Sequence, residues 1–440
     1  MSTIKFIQQA VNYIEANLKS ELTVAEVADQ AGFSPYHFSR MFCNIVGMPV
    51  SAYITKRRLY HAIYAVQNGV KSIDAALEYG FDTYAGFYKA FIREFGCSPS
   101  KYLKLTAVSQ PEPVNLLEEG KFMLTRSQIK QLLKNWDIDC QAEIKNTLVN
   151  NRKTNDTWYI GQEYVFKTSR NIAGLKTHIA ISQTLSAKGF QAATAIPTKN
   201  GQDFITENDR YYILTRRIQG QPLTSAERYN SDRYQIGQKY GAAIAQLHQV
   251  LAEQDQNITV DDHNLLETVL NWALPKVKQL MEQWGYALPE EFYQDYQTKF
   301  SQLYPKLPRQ IIHRDPNPSN IIFANNEVTG FVDFVISERN IRLFDPCYCA
   351  TGILSEADNQ ERSYDQWPEI LQGILAGYNQ TLNLNEAEKE AVPYVIYSIQ
   401  LIFIAWLDGR DELKDIAIKN REMLAWLWKN HDIIKETARL

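Results

Sequence analysis

The residues whose types and spacing best suit chemistry lie in the last third of the chain. Asp315 ends the run IIHRD, Asn320 follows five residues later, and Asp333 lies in a second apolar run, GFVDF. An apolar strand would deliver Asp315 to a loop, and a hairpin turned by ANNEVTG would bring Asp333 alongside. Phosphoryl transfer requires a carboxylate that accepts or orients a hydroxyl group, with an amide oxygen and a carboxylate that hold Mg²⁺. The pattern therefore predicts Asp315 as a catalytic base and Asn320 and Asp333 as magnesium ligands.

Three more side chains belong to this candidate site. His313 is a second catalytic candidate, although a histidine that braces the loop fits better because Asp315 is better placed as a base. Lys167 lies late in a β-like run, which suits a cation aimed at the phosphates of a nucleotide; a lone strand lysine is otherwise a solvated edge charge. Asp345, in LFDPC, is expected to cap a helix or brace a loop.

Length and composition describe the chain that must position these residues. The 440 residues correspond to roughly three domains of ~150 residues each. Apolar residues at 45%, charged residues at 22% and a mean hydropathy of −0.35 argue against a membrane protein and against a wholly disordered chain. Five scattered cysteines favour a reducing cytoplasm over a disulfide framework. Neither the N-terminal segment nor the most apolar stretch, residues 392–407, predicts secretion or a membrane span.

The charge is divided unevenly along the chain. Residues 1–105 contain 11 Lys and Arg and 8 Asp and Glu, which give a net charge of +3. The remaining residues have a net charge of −7, so the whole chain has −4. The front of the chain is therefore basic and the back acidic.

A repeat organises the first hundred residues. The segment LTVAEVADQAGFSPYHFSRMFCNIVGMP, which begins at Leu22, recurs loosely as SIDAALEYGFDTYAGFYKAFIREFGCSP, which begins at Ser72. Each copy predicts a helix, a tight turn at a glycine and a second helix. Thr23 and Glu26 form a capping-box pattern in the first copy, and Asp82 is the predicted cap in the second.

Two helix-turn-helix units joined by one stiff helix suit adjacent major grooves of a DNA duplex, about 34 Å apart. The second helix of each unit would enter the groove, where Arg, His, Tyr, Thr and Lys can bond to bases or phosphates. A protein-binding helical bundle stays open as an alternative, because a surplus of +3 is a weak electrostatic footprint. The predicted DNA-binding residues are Tyr36, His37, Ser39 and Arg40 in the first unit, Thr83, Tyr84, Tyr88 and Lys89 in the second, and Lys56 and Arg57 between them as phosphate contacts.

Residues 1–105 resemble the DNA-binding domain of the AraC/XylS family of transcriptional regulators. The resemblance rests on the runs GFSPYHFSRMFCNIVGMPVSAYITKRRL and SIDAALEYGFDTYAGFYKAFIREFGCSPSKYL, with two Gly-Phe turns, paired Phe spacings and a closing Gly-x-x-Pro. It implies a double-stranded DNA operator as the partner. It also gives Arg58 the place of the family's linker-helix arginine, which we interpret as a brace between the two units.

A change in composition separates this region from the rest. Residues 106–121, with two prolines and several acidic residues, are typical of a linker. A helical run and several β-like runs follow, among them EYVFKTS, AATAIP, DFITE and RYYILTRRI, and beyond Gly220 the periodicity is mostly helical. A small β-rich lobe followed by a larger helical lobe is an α+β arrangement.

This half resembles the aminoglycoside phosphotransferase and choline kinase-like family, which has a protein-kinase-like fold, over roughly residues 122–440. The resemblance places Lys167 at the nucleotide lysine and residues 214–218 at the interlobe hinge that holds adenine, and it puts His313, Asp315, Asn320 and Asp333 at the catalytic and metal positions. Two features depart from the family. No glycine-rich run precedes Lys167, and His178 stands where a glutamate should pair with that lysine.

The sequence thus predicts a multi-domain protein: an all-α tandem helix-turn-helix domain over residues 1–105, a linker over 106–121, and an α+β protein-kinase-like two-lobed domain over 122–219 and 220–440. The favoured function is a DNA-binding transcriptional regulator whose phosphotransferase-like domain binds a nucleotide or small molecule. The alternatives are an active ATP-dependent phosphotransferase for an amino sugar or amino alcohol, and a pseudoenzyme that mediates association. The cofactors implied are Mg²⁺ with ATP or GTP. The sequence also predicts a small-molecule effector or substrate as a partner and no membrane, and it leaves a homodimer open.

Overall fold

The computed structural model divides into two compact units. The front unit comprises Met1–Arg170 and Ile196–Leu214, and the back unit comprises Asn171–Ala195 and Thr215–Leu440. One division falls between residues 214 and 215, inside the segment predicted as a hinge. The residues that the structure describes are 3–46, 48–95, 97–105, 108, 110, 111, 114, 124, 126–139, 141–149, 152–207, 210–230, 232–285, 288–356, 360–408 and 414–439.

Seven helices lie in the described residues at the beginning of the front unit, and the repeat with its linking helix predicts five of them. Phe38 and Phe42 belong to one core, and Phe87 and Phe91 belong to another, so each copy of the repeat buries its own aromatic stripe. The helices are α1 Thr3–Ala16, α2 Val24–Gln30, α3 Pro35–Val46, α4 Val50–Gln67, α5 Ser72–Glu78, α6 Tyr84–Phe95 and α7 Pro99–Leu105.

Local hydrogen bonds explain where these helices begin. Thr23 and Glu26 form the predicted capping box of α2. The predicted cap of α6 is wrong by one residue: Thr83, not Asp82, accepts the hydrogen bond from the Gly86 amide at 3.1 Å. The long helix α4 joins the two copies.

The rest of the front unit is a helix and a five-stranded antiparallel sheet. The strand order is β1-β2-β3-β6-β5. The helix packs on one face of the sheet through Trp136 just beyond its end, whose indole N–H donates to the Ile196 carbonyl at 2.8 Å. Strand β1 was not predicted, because NTLVNN is rich in turn-forming residues. The elements are α8 Arg126–Leu133, β1 Ile144–Val149, β2 Arg152–Ile160, β3 Tyr164–Ser169, β5 Ile205–Glu207 and β6 Arg210–Arg216.

The back unit is mainly helical, around one large apolar core. Helices α11 and α17 pack closely because Gly237, Gly241, Gly373 and Gly377 let their backbones approach; a Cβ at Gly241 would meet the Ile374 carbonyl oxygen at 1.9 Å. The helices are α9 Ile172–Ala187, α10 Ser225–Asn230, α11 Arg233–Glu253, α12 Leu265–Thr268, α13 Leu274–Gln283, α14 Glu290–Asp295, α15 Ser301–Leu303, α16 Phe344–Ser355, α17 Gln360–Thr381, α18 Glu386–Leu407, α19 Lys414–Lys429 and α20 His431–Thr437, with π-helical turns at Val269–Ala273 and Tyr296–Phe300.

Two small sheets in the back unit carry the loops of interest. Strands β7 and β10 pair with each other, and β4, β9 and β8 form the second sheet. Asn325 and Asn326 turn the β8–β9 hairpin with φ of 51° and 63°, which is the left-handed backbone that a tight hairpin requires. The predicted strand AATAIP is reduced to Ala192, which is the second residue of β4, and a bridge at Ala195. The strands are β4 Gln191–Ala192, β7 Arg309–Ile312, β8 Ile321–Ala324, β9 Glu327–Phe331 and β10 Glu338–Ile341.

Helix α18 is long and apolar enough to cross a membrane by length and composition, but most of it is buried inside the protein. Residues 391–401 lie without interruption in the interior. Its apolar side chains are therefore those of a core helix.

Candidate functional site

The loop after β7 is anchored by one buried carboxylate. Asp345, near the start of α16, accepts hydrogen bonds from the backbone amides of His313 at 2.8 Å and Arg314 at 3.0 Å. A ring nitrogen of His248 lies 2.9 Å from the same carboxylate, and its other nitrogen lies 2.8 Å from the hydroxyl of Tyr378. Asp345 is thus the predicted loop brace, and His248 holds it from α11.

Two residues of the site have left-handed backbone conformations. Arg314 has a φ of 73° and Asp333 a φ of 68°, and neither is a glycine. Such conformations are costly and persist only when the surroundings fix them, which is common at functional sites. Arg314 is fixed by its amide bond to Asp345, an ion pair with Glu338 at 2.8 Å and a position over the ring of Phe344.

Asp315 is held at both carboxylate oxygens. The hydroxyl of Tyr348 donates to Oδ1 at 2.8 Å, and the amide nitrogen of Asn320 donates to Oδ2 at 3.0 Å. Burial raises the pKa of Asp315, and the nearby charge of Asp333 adds to the rise, while His313, Tyr348 and Arg314 oppose it. The amide of Val332, the residue before Asp333, donates to the Asn320 carbonyl oxygen at 3.0 Å, so the segments that carry Asn320 and Asp333 are neighbours.

Tyr348 is a site residue that the sequence analysis missed. It lies one turn beyond Asp345 on α16, and burial together with the contact to Asp315 raises the pKa of its hydroxyl well above the usual range. The hydroxyl therefore stays protonated and donates. Its i, i+3 spacing from Asp345 is the one signal in the sequence, and that spacing alone does not identify a partner across the loop.

The donor set around Asp315 fits a magnesium ion held jointly with a nucleotide. The amide nitrogen of Asn320 points to Asp315, both to its side chain and to its carbonyl oxygen, so the amide oxygen is turned away from this contact. Among the described residues no group of three or more His, Cys, Asp or Glu side chains could hold a metal by itself. Magnesium is usually bound by one or two protein oxygens, waters and substrate phosphates, so the side-chain oxygens of Asn320 and Asp333 are of the kind and number that could hold it.

His313 is fully buried, with both ring nitrogens next to backbone groups. One nitrogen lies 3.0 Å from the Val332 carbonyl oxygen, and the other accepts a hydrogen bond from the Asp315 amide at 3.4 Å. A neutral imidazole has one donor and one acceptor. Both are used here, so the ring ties the Asp315 loop to the strand end before Asp333 and has no nitrogen left for a substrate.

Lys167 lies on β3 in the front unit, opposite Thr157 of β2. Successive side chains of a strand point to opposite faces. Phe166 points into the aromatic core with Trp136 and Trp158, so half-buried Lys167 lies on the other face of the sheet.

Helix α9 packs directly on the loop that follows Asp333. His178 accepts a hydrogen bond from the Phe334 amide at 3.4 Å, and a Cβ at Gly174 would meet the Val335 carbonyl oxygen at 2.2 Å. This packing explains why residues 171–195 cluster with the back unit, although the sequence analysis placed them in the 122–219 lobe.

The predicted DNA-reading side chains differ in their exposure to solvent and in their hydrogen bonds within the domain. His37 and Arg40 on α3, and Tyr88 and Lys89 on α6, are exposed. Ser39 donates back to the Pro35 carbonyl, Thr83 caps α6, and Tyr84 is half-buried against Phe87. The side chain of Tyr36 lies outside the described residues.

The prediction that Lys56 and Arg57 contact phosphates is wrong. Lys56 is 7% exposed and Arg57 is 5% exposed, so neither cation reaches the surface. Arg57 pairs with Glu15 of α1 through two bonds of 2.6 and 2.8 Å, and Lys56 pairs with Glu94 of α6 at 2.9 Å. The amphipathic periodicity of α4 does not show that α1 and α6 cover this face of the helix.

Arg58 is the brace that the sequence predicts. Its guanidinium donates to the carbonyl oxygens of Leu18 and Ser20 on one side and of Gly80 on the other, at 2.6 to 2.9 Å. It therefore joins the two helix-turn-helix copies through three backbone groups.

We expect Arg57→Met to destabilise the front unit by about 3–5 kcal/mol, because it leaves the Glu15 carboxylate buried without its cation. Burial alone raises the pKa of Glu15, but the neighbouring His61 and the bonds from Arg57 and Tyr53 outweigh it and lower the pKa. The pair therefore stabilises the fold at neutral pH and loses this effect as the pH falls below the usual Glu range. Thermal unfolding from pH 3 to 7 measures it. A melting temperature equal to the parent's at pH 7 would contradict the assignment.

The fold and the site define a class: a tandem helix-turn-helix domain ahead of a two-lobed, kinase-like domain. Residues 146–388 match the phosphotransferase enzyme family, and residues 12–105 match a helix-turn-helix domain family. The chain therefore belongs to the phosphotransferase enzyme family and carries at its front the DNA-binding domain of AraC-type transcriptional regulators.

Relatives support each part separately. The HTH-type transcriptional activator AarP of Providencia stuartii is 38% identical over 97 residues, which are 22% of this chain and 72% of that protein. The chain spans only 41% of the length of the putative HTH-type transcriptional regulator YkgA and 36% of the length of the right origin-binding protein, both of Escherichia coli.

Solved structures show the fold of the remainder. The aminoglycoside phosphotransferase from Alicyclobacillus acidocaldarius has a TM-score of 0.52 at 14% identity and covers 76% of this chain and 100% of its own. The amicoumacin kinase hAmiN, solved with AMP-PNP, Ca²⁺ and Ami, has a TM-score of 0.51 at 15% identity and covers 71% and 93%.

Proposed function

We propose that this protein is a cytoplasmic DNA-binding regulator whose back half transfers the γ-phosphoryl group of a magnesium nucleotide to a hydroxyl group of a small amine-bearing molecule. The observation that carries the catalytic part is the carboxylate of Asp315, which is held at one oxygen by Tyr348 and at the other by Asn320. A solved kinase of the same fold binds AMP-PNP and Ca²⁺, which supports a nucleotide and a divalent cation as ligands.

In this proposal each protein group has one task. Asp315 accepts the proton of the substrate hydroxyl while the oxygen attacks the γ-phosphorus, and the bond to the β-phosphate oxygen breaks to release the nucleoside diphosphate. Tyr348 and Asn320 fix the carboxylate so that a lone pair of each oxygen stays directed at the substrate. Asn320 and Asp333 would hold Mg²⁺, which neutralises phosphate charge. Lys167 would bind the α- and β-phosphates, and His313 keeps the loops together.

A transfer assay tests the catalytic part. The full chain is incubated with Mg²⁺, γ-labelled ATP or GTP, and separate amino sugars and amino alcohols. The proposal expects label on at least one hydroxyl acceptor, and no transfer when EDTA removes the metal. Nucleotide binding without transfer to any acceptor would instead favour the second candidate.

The second candidate is a sensor that binds the same ligands without turnover. Two observations favour it. The segment before Lys167 has no glycine-rich run, and His178, at the position of the family's glutamate, bonds to the Phe334 amide instead. Weaker fixation of the lysine would slow transfer more than it weakens binding.

The DNA-binding part gives its own prediction. We expect Arg40→Ala and Lys89→Ala each to weaken binding to a duplex selected from random DNA by about 1–3 kcal/mol, because both exposed cations lie on the predicted reading helices. Loss confined to the selected sequence indicates base contacts, and equal loss on all sequences indicates phosphate contacts. Gel-shift titration measures the affinities, with exposed Lys101→Ala of α7 as the control. Parental affinity in both variants would remove the assignment of these helices.

A further inference from the structure

The chain between the two domains is bound to the helix-turn-helix domain at several points. Gln67 at the end of α4 bonds to both the amide and the carbonyl of Val108, at 2.5 and 2.7 Å. Gln8 of α1 donates to the carbonyl of Val114 at 2.8 Å, and the Val114 side chain, 6% exposed, belongs to the core of the first copy. These described positions of the predicted linker are therefore docked on the domain.

Helix α4 also contacts Leu124, a residue of the apolar core under the five-stranded sheet. Leu124 is 5% exposed and packs with Ile129, Trp136 and Ile144 beneath the five-stranded sheet. Its carbonyl oxygen accepts a hydrogen bond from the Nζ of Lys56 at 3.3 Å. The side chain that the sequence assigned to DNA phosphates thus reaches the neighbouring domain.

Lys56 has a second partner on a reading helix. Its ammonium lies 2.9 Å from the carboxylate of Glu94, in the last turn of α6. Around this pair, burial raises the pKa of the Tyr60 hydroxyl, Glu94 adds to the rise, and the charges of Arg57 and Arg126 oppose it. Arg126 is the first residue of α8, so a charged residue beyond the linker also lies near Tyr60 of α4.

Because a buried cation has little access to water, its distances to its partners can change little without a cost in free energy. Lys56 is 7% exposed and Glu94 is 17% exposed, so loss of either partner leaves a charge with little access to water. A shift of α6 on DNA would therefore move the ammonium or the Leu124 carbonyl. Two sites are coupled when each biases a common element, and the effect must be reciprocal.

We propose that this docking surface of α4 and α6, with Lys56 as its connecting side chain, binds the chain at Leu124 and couples the DNA-reading surface to the phosphotransferase domain. A ligand of one domain then changes the affinity of the other domain for its own ligand. The proposal goes beyond the two separate activities, because it requires neither turnover nor a particular substrate.

Hydrogen exchange of the full chain tests the coupling without any ligand. We expect Lys56→Met, which keeps the length of the side chain but removes its charge, to accelerate exchange in α6 and α8 together. The control Lys19→Met removes an exposed lysine of the same domain that pairs with Glu78, and it should leave both helices unchanged. Acceleration confined to α6, with α8 at the parental rate, would overturn the proposal.

A second arm adds the selected DNA duplex. In the parent protein and in Lys19→Met, saturating duplex should slow exchange in α8 by about 5- to 150-fold, the range of typical coupling energies, and Lys56→Met should abolish this effect. An unchanged α8 in parent protein shown by gel shift to be bound would overturn the coupling and leave DNA binding intact. If no duplex binds, the DNA-binding proposal fails, and the ligand-free arm still decides the coupling.

Discussion

Asp315→Asn is expected to lower phosphoryl transfer by about 10²- to 10⁴-fold, the usual contribution of a general base. The amide cannot accept the substrate proton. It also offers one oxygen where Tyr348 and Asn320 now bond to two, so its plane is less well fixed. Nucleotide affinity should stay close to the parental value, since the proposed phosphate and metal contacts lie on Lys167, Asn320 and Asp333. Initial rates with labelled ATP and calorimetric nucleotide titration measure the two quantities.

A matched control separates this loss from a general effect of the substitution. Asp432→Asn changes an exposed aspartate of α20 in the same unit and should retain the parental rate. Equal transfer by Asp315→Asn and the parent would contradict the base assignment. Loss of both transfer and nucleotide binding would mean that Asp315 acts on the nucleotide and not on the acceptor.

Asp345→Ala is expected to cost about 3–5 kcal/mol, because it leaves two backbone amides and His248 without an acceptor in a fully buried place. The destabilisation should also appear locally, in the loop that carries His313 and Arg314. Arg314 would no longer be fixed in its left-handed conformation, so exchange at the amides of 313 and 314 should rise. Hydrogen exchange is the appropriate measurement, since a protein of several domains does not unfold in two states.

The conservative variant Asp345→Asn serves as the internal comparison. It retains one acceptor oxygen and should therefore be destabilised less than Asp345→Ala. The exposed Asp365→Ala of α17 should behave as the parent. Parental exchange at 313 and 314 in Asp345→Ala would contradict the role of this carboxylate as the anchor of the loop.

The elements of this fold that have strong local signals were predictable. The capping box at Thr23, the aromatic stripes of the repeat, and the β7 and β8–β9 runs each follow from spacing and turn residues. The prediction of Asp315 and Asp333 as site residues rests on similar reasoning, because a hairpin of known length brings its ends together, and the transfer and titration experiments test it. Arg58 was assigned correctly through the resemblance to a known family.

Features that depend on packing between distant elements were not predictable. Lys56 and Arg57 look solvated in the sequence, and only their partners Glu94 and Glu15, 38 and 42 residues away, show that they are buried. The spacing of Tyr348 from Asp345 does not identify Asp315 as its partner, because Asp315 lies on another loop. The position of α9 depends on Gly174, which lets the helix approach the Val335 carbonyl closely. No local sequence pattern reveals this contact.

The most direct test of the central claim is a calorimetric titration of the full chain with a non-hydrolysable ATP or GTP analogue, with and without Mg²⁺. The claim is that Asn320 and Asp333 form a metal and nucleotide site beside Asp315. It predicts saturable binding that requires Mg²⁺ and that is lost in Asp333→Ala. Absence of binding under both conditions, or metal-independent binding that Asp333→Ala leaves unchanged, would contradict it.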